Sequence, residues 1–419
     1  MNTPQPRFFT MDDFDLGGKT VYLRLDINSP VNPITGEITD QTRFLSHLET
    51  IRDLRSSKVV MVAHQSRPGK SDFTSLRKHA ILMERLTGRP VEFVDSLFGS
   101  QVDKAVSRME PGDILMLENS RFYSEEVDVD PSDIEVMEST NLVKSLSKLF
   151  DYYIIDAFPA IHRAQTTLVG FRRLKPNIAG RLIQREVIML DKFTQEDDRP
   201  KIAILGGAKI DDSVRVSWNF LEKGIVDRIL AGGVVANAFL WALGKDIGKR
   251  NREFIMKNNK NYEDIIENCR KILKKHARKV LLPSDFVLNP SGRVIEEGDQ
   301  VPDNEILADI GFQTISQFAA EIEKARAIFL NGPMGIYEIE AYSVGTREVL
   351  EAVSRSQGLT IAGGGHTLGA LEMLGLASRI THASTGGGAL ISYLSGEPMP
   401  VLQSLEESMK LFGGKHGRQ

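Results

Sequence analysis

Lys201-Ile-Ala-Ile-Leu-Gly-Gly-Ala-Lys209 is the stretch whose reading decides the fold. Four apolar residues run straight into two glycines, and the spacing of apolar residues turns helical over 213–223. A brief apolar run closed by glycine and followed by an amphipathic segment reads as strand, tight turn and helix. The same unit recurs outward in both directions. Downstream, strand candidates fall at 226–231, 279–282, 327–330, 359–362 and 380–383, with helix candidates at 234–243, 261–276, 314–325, 345–356, 367–374 and 388–395. Upstream, strands are expected at 20–25, 58–63, 91–94, 113–117 and 152–155, and helices at 42–55, 75–87, 99–108 and 134–149. Strands that alternate with helices make βαβ units and parallel sheets covered by helices. No solenoid-type period interrupts the pattern.

The chain has 419 residues, which at roughly 100–200 residues per domain allows two or three domains. The alternation divides into two α/β halves, 1–178 and 194–399, around a segment 179–193 that follows Pro176 and reads as a helix. The last residues, 413–419, are expected to fray. Lys and Arg number 52 against 56 Asp and Glu, so no global positive charge draws the chain to nucleic acid or to an anionic membrane. Hydrophobic residues make up 41% and charged residues 26%, the balance of a globular protein and not of a disordered one. No uncharged apolar run approaches the ~18 residues of a spanning helix, and residues 1–15 contain no signal core. A single cysteine, Cys269, excludes an intramolecular disulfide framework and any multi-thiolate metal site. The expectation is a cytoplasmic protein without a nucleic-acid or membrane partner.

In open α/β sheets ligands bind beyond the carboxyl ends of the strands. In the first half those ends are polar and basic: Asp26 and Asn28 after 20–25, His64 and Arg67 after 58–63, Glu118, Asn119 and Arg121 after 113–117, and Asp156, His162 and Arg163 after 152–155. Arg43 follows the loop that returns from the first strand. Cations gathered at one sheet edge repel one another unless an anion joins them, so a small, multiply charged ligand is expected. In the second half the strand ends are glycine: Gly206-Gly207, Gly232-Gly233, Asn331 to Gly335, Gly363 to Gly365 and Gly386 to Gly388. Glycine lets backbone approach a ligand, and a helix N-terminus offers free N–H groups to phosphate. There is no Walker-type loop and no dinucleotide fingerprint. One half for a polyanion and one for a nucleotide point to phosphoryl transfer, with water excluded at the transfer.

The same segments resemble the phosphoglycerate kinase family along nearly the whole chain. The matches are Arg24-Leu-Asp-Ile-Asn-Ser-Pro30, Ile38-Thr-Asp-Gln-Thr-Arg43, His64 to Pro68, Glu118-Asn-Ser-Arg-Phe122, Asp156-Ala-Phe158 with His162-Arg163, Leu205-Gly-Gly-Ala-Lys209, Leu282-Pro-Ser-Asp-Phe286, Asn331-Gly-Pro-Met-Gly335 with Glu338, and Ser384-Thr-Gly-Gly-Gly388. Ala179-Gly-Arg-Leu182, Gly207 to Ser213 and Gly363-Gly-Gly-His366 are most similar to its archaeal branch. The resemblance implies two Rossmann-like domains joined by a hinge helix at 179–193. The first would bind phosphoglycerate, with 400–419 returning to it, and the second would bind nucleotide. It implies reversible transfer from 1,3-bisphosphoglycerate to Mg²⁺-bound ADP, giving 3-phosphoglycerate and ATP, by a monomer or homodimer. Carried onto this chain, Asp26, Asn28, Arg43, His64, Arg67, Arg121 and Arg163 would line the phosphoglycerate site, with His162 in the same motif. Arg43 and Lys209 would be catalytic. Gly206, Gly207, Gly232, Gly233 and Ile336 would wall the adenine, Lys209 and Asn331 would meet the phosphates, and Glu338 would accept the ribose hydroxyls. Gly363, Gly364, Gly365 and Thr367 would present a helix N-terminus.

Two positions depart from the common family pattern: Ser213 stands where a second lysine is usual, and His366 where an aspartate is usual. Lost as a set they would leave the local charge sum unchanged with His366 neutral; the metal ligands stay unassigned. The carboxylate acceptor is ionised at pH 7, so no general base is needed, and positioning and charge stabilisation carry the work. The alternative, a nucleotide-binding homologue without catalysis, has no need for both Arg43 and Lys209. Cys269, Trp218 and Trp241 read as packing residues. Asp211-Asp212 reads as an acidic helix start, with metal contact as its alternative.

Overall fold

The computed structural model describes residues 7–130 and 132–413; the expected fraying of 414–419 lies outside them. Two compact units share the chain. One takes it through Ile188 and again from Pro398, and the other is Met189–Glu397. The change at Ile188/Met189 falls inside the helix Arg181–Gln195. That helix starts two residues later than expected, because Asn177–Ala179 pairs as a strand.

The first unit is built on a seven-stranded, wholly parallel sheet: β1 (Phe9–Thr10), β2 (Thr20–Arg24), β3 (Lys58–Val62), β4 (Val91–Val94), β5 (Ile114–Leu117), β6 (Tyr152–Ile155) and β7 (Asn177–Ala179), in the order β1-β7-β6-β2-β3-β5-β4. Val21, Leu23, Val59, Met61, Met116 and Ile154 are at most 1% exposed. Such strands are buried on both faces and therefore read as unbroken apolar runs. The order places β6, β2, β3 and β5 side by side, so their four polar carboxyl ends open on one stretch of edge. The helix Pro400–Phe412 completes this unit. It buries Val401, Leu402 and Leu405, while the Ser408 and Ser404 hydroxyls accept bonds from the Asn177 amide (2.8 Å) and side chain (3.2 Å).

The second unit carries a six-stranded parallel sheet: β8 (Lys201–Leu205), β9 (Arg228–Ala231), β10 (Val280–Leu281), β14 (Ala327–Asn331), β15 (Leu359–Gly363) and β16 (His382–Ala383), in the order β10-β9-β8-β14-β15-β16. The glycine segments follow five adjacent strands. A second sheet was not expected: β11 (Asp285–Asn289), β12 (Val294–Glu296) and β13 (Ile306–Ile310) pair antiparallel in the order β12-β11-β13. Among the described residues no helix is long and apolar enough to cross a membrane.

Candidate functional site

The basic edge of the first unit is organised around Arg24, which is wholly buried at the end of β2. Its Nε donates to Thr167 Oγ1 (2.9 Å), and its Nη2 lies 3.8 Å from Glu126 and 3.1 Å from His64 Nδ1. A guanidinium only donates, so His64 Nδ1 is the acceptor. Burial, with Arg24, Arg121 and Arg163 nearby, drives the His64 pKa well below that of a free imidazole. The neutral ring therefore carries its proton on Nε2, and that buried atom has no hydrogen-bond partner. An unmet buried donor costs roughly 1–3 kcal/mol, which an acceptor on a ligand would remove.

Around it the expected residues converge. Arg43 Nη1 donates to Asp26 Oδ1 at 2.7 Å. Burial opposes ionisation of Asp26, but Arg43, the Asn28 N–H and Arg24 outweigh it and hold the carboxyl well below the usual range. Asn28 Oδ1 accepts the Ser66 N–H (2.8 Å), and Arg121 donates to the Ser66 carbonyl. Ser66 is held at φ 57°, a left-handed conformation that is uncommon outside glycine. Its hydroxyl bonds Asp72 (2.5 Å). Burial, then Arg163 and Arg24, pull Arg121 down to about 10. Burial also lowers Arg163, where Arg24, Arg43 and Arg67 add to the effect against the opposing pull of Asp26. These are cations held close without enough counter-charge. Arg67 is exposed beside them. Asn119 was not assigned a role from the sequence, yet it is fully buried and ties the loops after β3 and β5. Its Nδ2 donates to the carbonyls of Gln65 (2.9 Å) and Thr74 (2.8 Å), and its Oδ1 accepts the Gln65 and Arg121 amides.

In the second unit the glycines divide into two kinds. A Cβ on Gly206 would stand 2.2 Å from the Pro333 carbonyl, on Gly232 2.4 Å from Met334 Sδ, and on Gly363 2.2 Å from Leu390. At Gly206 and Gly232 loop packs on loop, joined by Gly206 N–H to Asn331 O (2.8 Å), Gly207 N–H to Pro333 O (2.7 Å) and Gly233 N–H to Met334 O (2.9 Å), whereas Gly363 ends β15 against Leu390 of the helix Gly388–Leu394. At Gly365, Gly387 and Gly388 a Cβ would meet nothing within 4 Å. These three line a cavity with Gly206, Gly207, Lys209, Asp212, Asn331, Gly364, His366 and Thr367. Gly232, Gly233, Ile336, Glu338 and Gly363 are not among its lining residues. Thr367 Oγ1 accepts the Gly332 N–H (2.7 Å) and so fixes the loop after β14 against the helix Gly365–Met373. Ile336 is fixed by its N–H on Ala308 O (2.8 Å) in β13. The open pair Gly387-Gly388 was visible as a glycine triplet but was not carried into the expected site.

Ser213 and His366, the two positions that depart from the family pattern, lie in different settings. Ser213 lies on the buried face of the helix Ile210–Glu222, its hydroxyl unpartnered and off the cavity. His366 is exposed at the cavity and faces Glu338 (Nδ1 to Oε1, 3.7 Å) and the Tyr337 hydroxyl (3.5 Å). Asp211 and Asp212 start their helix and pair with Arg215, as an acidic first turn does. Asp212 also lines the cavity. Cys269 is buried; Trp241 stacks on Tyr262, but Trp218 is 41% exposed. Among the described residues no three His, Cys, Asp or Glu side chains are grouped to hold a metal.

Two parallel-sheet units, one with an edge of guanidiniums and the other with a glycine-lined cavity carrying a single lysine, define an α/β phosphotransferase. A family model described as phosphoglycerate kinase matches residues 11–397. The phosphoglycerate kinase of Thermoplasma acidophilum is 66% identical over 97% of this chain and 99% of its own length, and that of Thermoplasma volcanium is 65% identical over 97% and 99%. The crystal structure of phosphoglycerate kinase from Pyrococcus horikoshii OT3 superposes with a TM-score of 0.86 at 38% identity, covering 96% of this chain and all of that one. The chain belongs to the phosphoglycerate kinase family, with relatives of high identity in archaea, and is a phosphotransferase that uses a carboxyl group as acceptor.

Proposed function

We propose that the first unit binds 3-phosphoglycerate or 1,3-bisphosphoglycerate at its basic edge and that the second binds ATP or ADP at its glycine edge. The unmet His64 Nε2–H among Arg43, Arg121 and Arg163 carries the first half of this reading, because it is a donor built for an anion. Asp26, Asn28 and Arg67 complete the ligand shell. Lys209 meets the nucleotide phosphates, while Gly364, Gly365 and Thr367 offer the helix N-terminus to them. Gly206, Gly207, Gly232, Gly233 and Ile336 shape the adenine wall, Asn331 orients the phosphate loop, and Glu338 takes the ribose.

No proton has to be removed from the acceptor, because a carboxylate is already a nucleophile at pH 7. The side chains hold the carboxylate and the terminal phosphorus in line and stabilise charge on the equatorial oxygens. Arg43 and Lys209 are the groups assigned to that task. A Mg²⁺ ion bound with a nucleotide would need only one or two protein carboxylates. Asp212 is the carboxylate that lines the cavity, so the donor set fits an ion held mainly by nucleotide and water. The ion would neutralise phosphate charge.

One chain carries both sites, so the reading holds for a monomer or a homodimer. Its lone, buried cysteine supports a cytoplasmic setting. The test is isothermal titration of the full chain with each ligand. Arg121→Ala should abolish 3-phosphoglycerate binding and leave ATP binding intact, and Lys209→Ala should do the reverse. Loss of both ligands in either variant would overturn the assignment.

A further inference from the structure

The polar groups beneath the basic edge form a second, fully buried set that the reaction itself does not use. Asp156, at the end of β6, is 0% exposed, as are His47 and Thr50. A buried carboxylate is costly unless its lone pairs are met. Asp156 Oδ2 accepts His47 Nδ1–H (2.9 Å) and the Thr50 hydroxyl (2.8 Å). Its Oδ1 accepts the Leu182 N–H (2.8 Å) and the Ile183 N–H (3.4 Å), two of the free amides at the start of the helix Arg181–Gln195. Thr50 Oγ1 accepts the neighbouring Arg181 N–H (2.9 Å). Gly180 makes the approach possible, since a Cβ there would stand 2.2 Å from Asp156 Oδ1. On its far side the His47 ring meets the backbone of Asp26: Nε2 is 3.2 Å from the Asp26 nitrogen and 3.1 Å from its carbonyl oxygen. A neutral ring accepts from the first and a protonated ring donates to the second, so the contact holds in either state.

We propose that His47 and Asp156 are positioning residues that couple occupancy of the Asp26 edge to the first turn of the helix Arg181–Gln195. This rests on the reading of Asp26 as part of the 3-phosphoglycerate site. The helix passes from the first unit to the second at Ile188/Met189, so order imposed on its first turn is transmitted along the element that continues into the nucleotide-binding half. The coupling travels through a closed set of hydrogen bonds with no loose member, the kind of network in which a shift at one end forces rearrangement at the other.

Hydrogen exchange on the full chain, with and without saturating 3-phosphoglycerate, tests this. In the wild type the ligand should slow exchange both near Asp26 and at Leu182 and Ile183, by about ten-fold or more. In His47→Phe, which keeps a ring but no polar atom, protection should persist near Asp26 and vanish at the helix start. Gly180→Ala strikes the other end of the link with His47 intact and should give the same separation. In both variants kcat should fall while the KM for ATP stays at the wild-type value; a merely structural defect would lower the active fraction and leave ligand-induced protection of the folded molecules unchanged. Equal protection of the helix start in wild type and both variants would overturn the coupling. Absence of protection near Asp26 in the wild type would overturn the site reading, and the coupling with it.

Discussion

At Arg43 one side chain carries two assignments: it pairs with Asp26 at 2.7 Å and is assigned to stabilise the transferring group. Arg43→Ala should therefore reduce kcat by about 10²–10³-fold, the loss of roughly 2.7–4 kcal/mol seen when one preorganised donor is removed from a charged transition state. ATP affinity should not change. Steady-state kinetics with a separate nucleotide titration checks this, and a wild-type kcat would remove Arg43 from the mechanism. Ser66 makes a different prediction. Its left-handed backbone is held by Asn28 and Arg121, and its hydroxyl by Asp72. Ser66→Gly should be close to neutral in a urea titration. Ser66→Val, with a branched side chain at the same φ, should cost about 1–3 kcal/mol. Similar midpoints for the two variants would show that the conformation is not strained. His64 shows what kind of residue-level fact stays out of reach of a sequence. That it sits at the basic edge followed from its place after a strand, but which nitrogen bears the proton depends on Arg24 across the strand pair.

At the scale of elements, the parallel strands were legible because burial on both faces leaves unbroken apolar runs, as in Val59 to Val62 and Ile114 to Leu117. The antiparallel sheet was not, because β12 buries only its central Ile295 and β11 opens on Asp285, so neither offers such a run. The helix Lys249–Asn258 escaped for a similar reason: Asn251 and Ile255 are its only buried residues. Two expected helices proved to be pairs. The first, 42–55, breaks at His47, and the second, 134–149, breaks at Thr140, whose side chain caps Val143 N–H at 3.2 Å. Side chains that leave the helix to satisfy a buried partner cannot be seen in periodicity. The same holds for the glycines, whose number was visible but not their division into packing and open positions.

Asp309, at the end of β13, gives this scale its pH dependence. Burial lifts its pKa from the usual carboxylate value of about 4 to about 7, against the Gly345 and Ile310 N–H groups that favour the carboxylate. Between those values the folded chain keeps a proton that the unfolded chain has lost, so stability is fully present below about pH 4 and falls as pH rises toward 7, by at most ~1.4 kcal/mol per unit. Urea midpoints from pH 4 to 8 should fall more steeply for the wild type than for Asp309→Asn; parallel curves would contradict the assignment. The C-terminal helix makes the other prediction. Val401, Leu402 and Leu405 each contribute roughly 1.5–3 kcal/mol by burial, together a large share of a domain's net stability. Deleting 400–419 should remove exchange protection from β2, β6 and β7. Both tryptophans lie in the second unit, so their fluorescence should be unchanged. Retained protection in β7 would contradict this account.

For the molecule as a whole, a net charge of −4 coexists with a concentrated basic edge, so the pull of that edge on an anion is local and should weaken with salt. The contrast between the two units, basic strand ends in one and glycine strand ends in the other, was legible because composition differs between the two sets. The central claim is that these two sets serve one reaction, the direct movement of a phosphoryl group onto a carboxylate. Its most direct test is to incubate the full chain with ATP, Mg²⁺ and 3-phosphoglycerate and trap the acyl phosphate as a hydroxamate with hydroxylamine. The account predicts hydroxamate that requires all three components, forms in step with ADP, and is lost in Lys209→Ala and Arg43→Ala. ADP released with inorganic phosphate and no hydroxamate, or no turnover while both ligands bind, would contradict it.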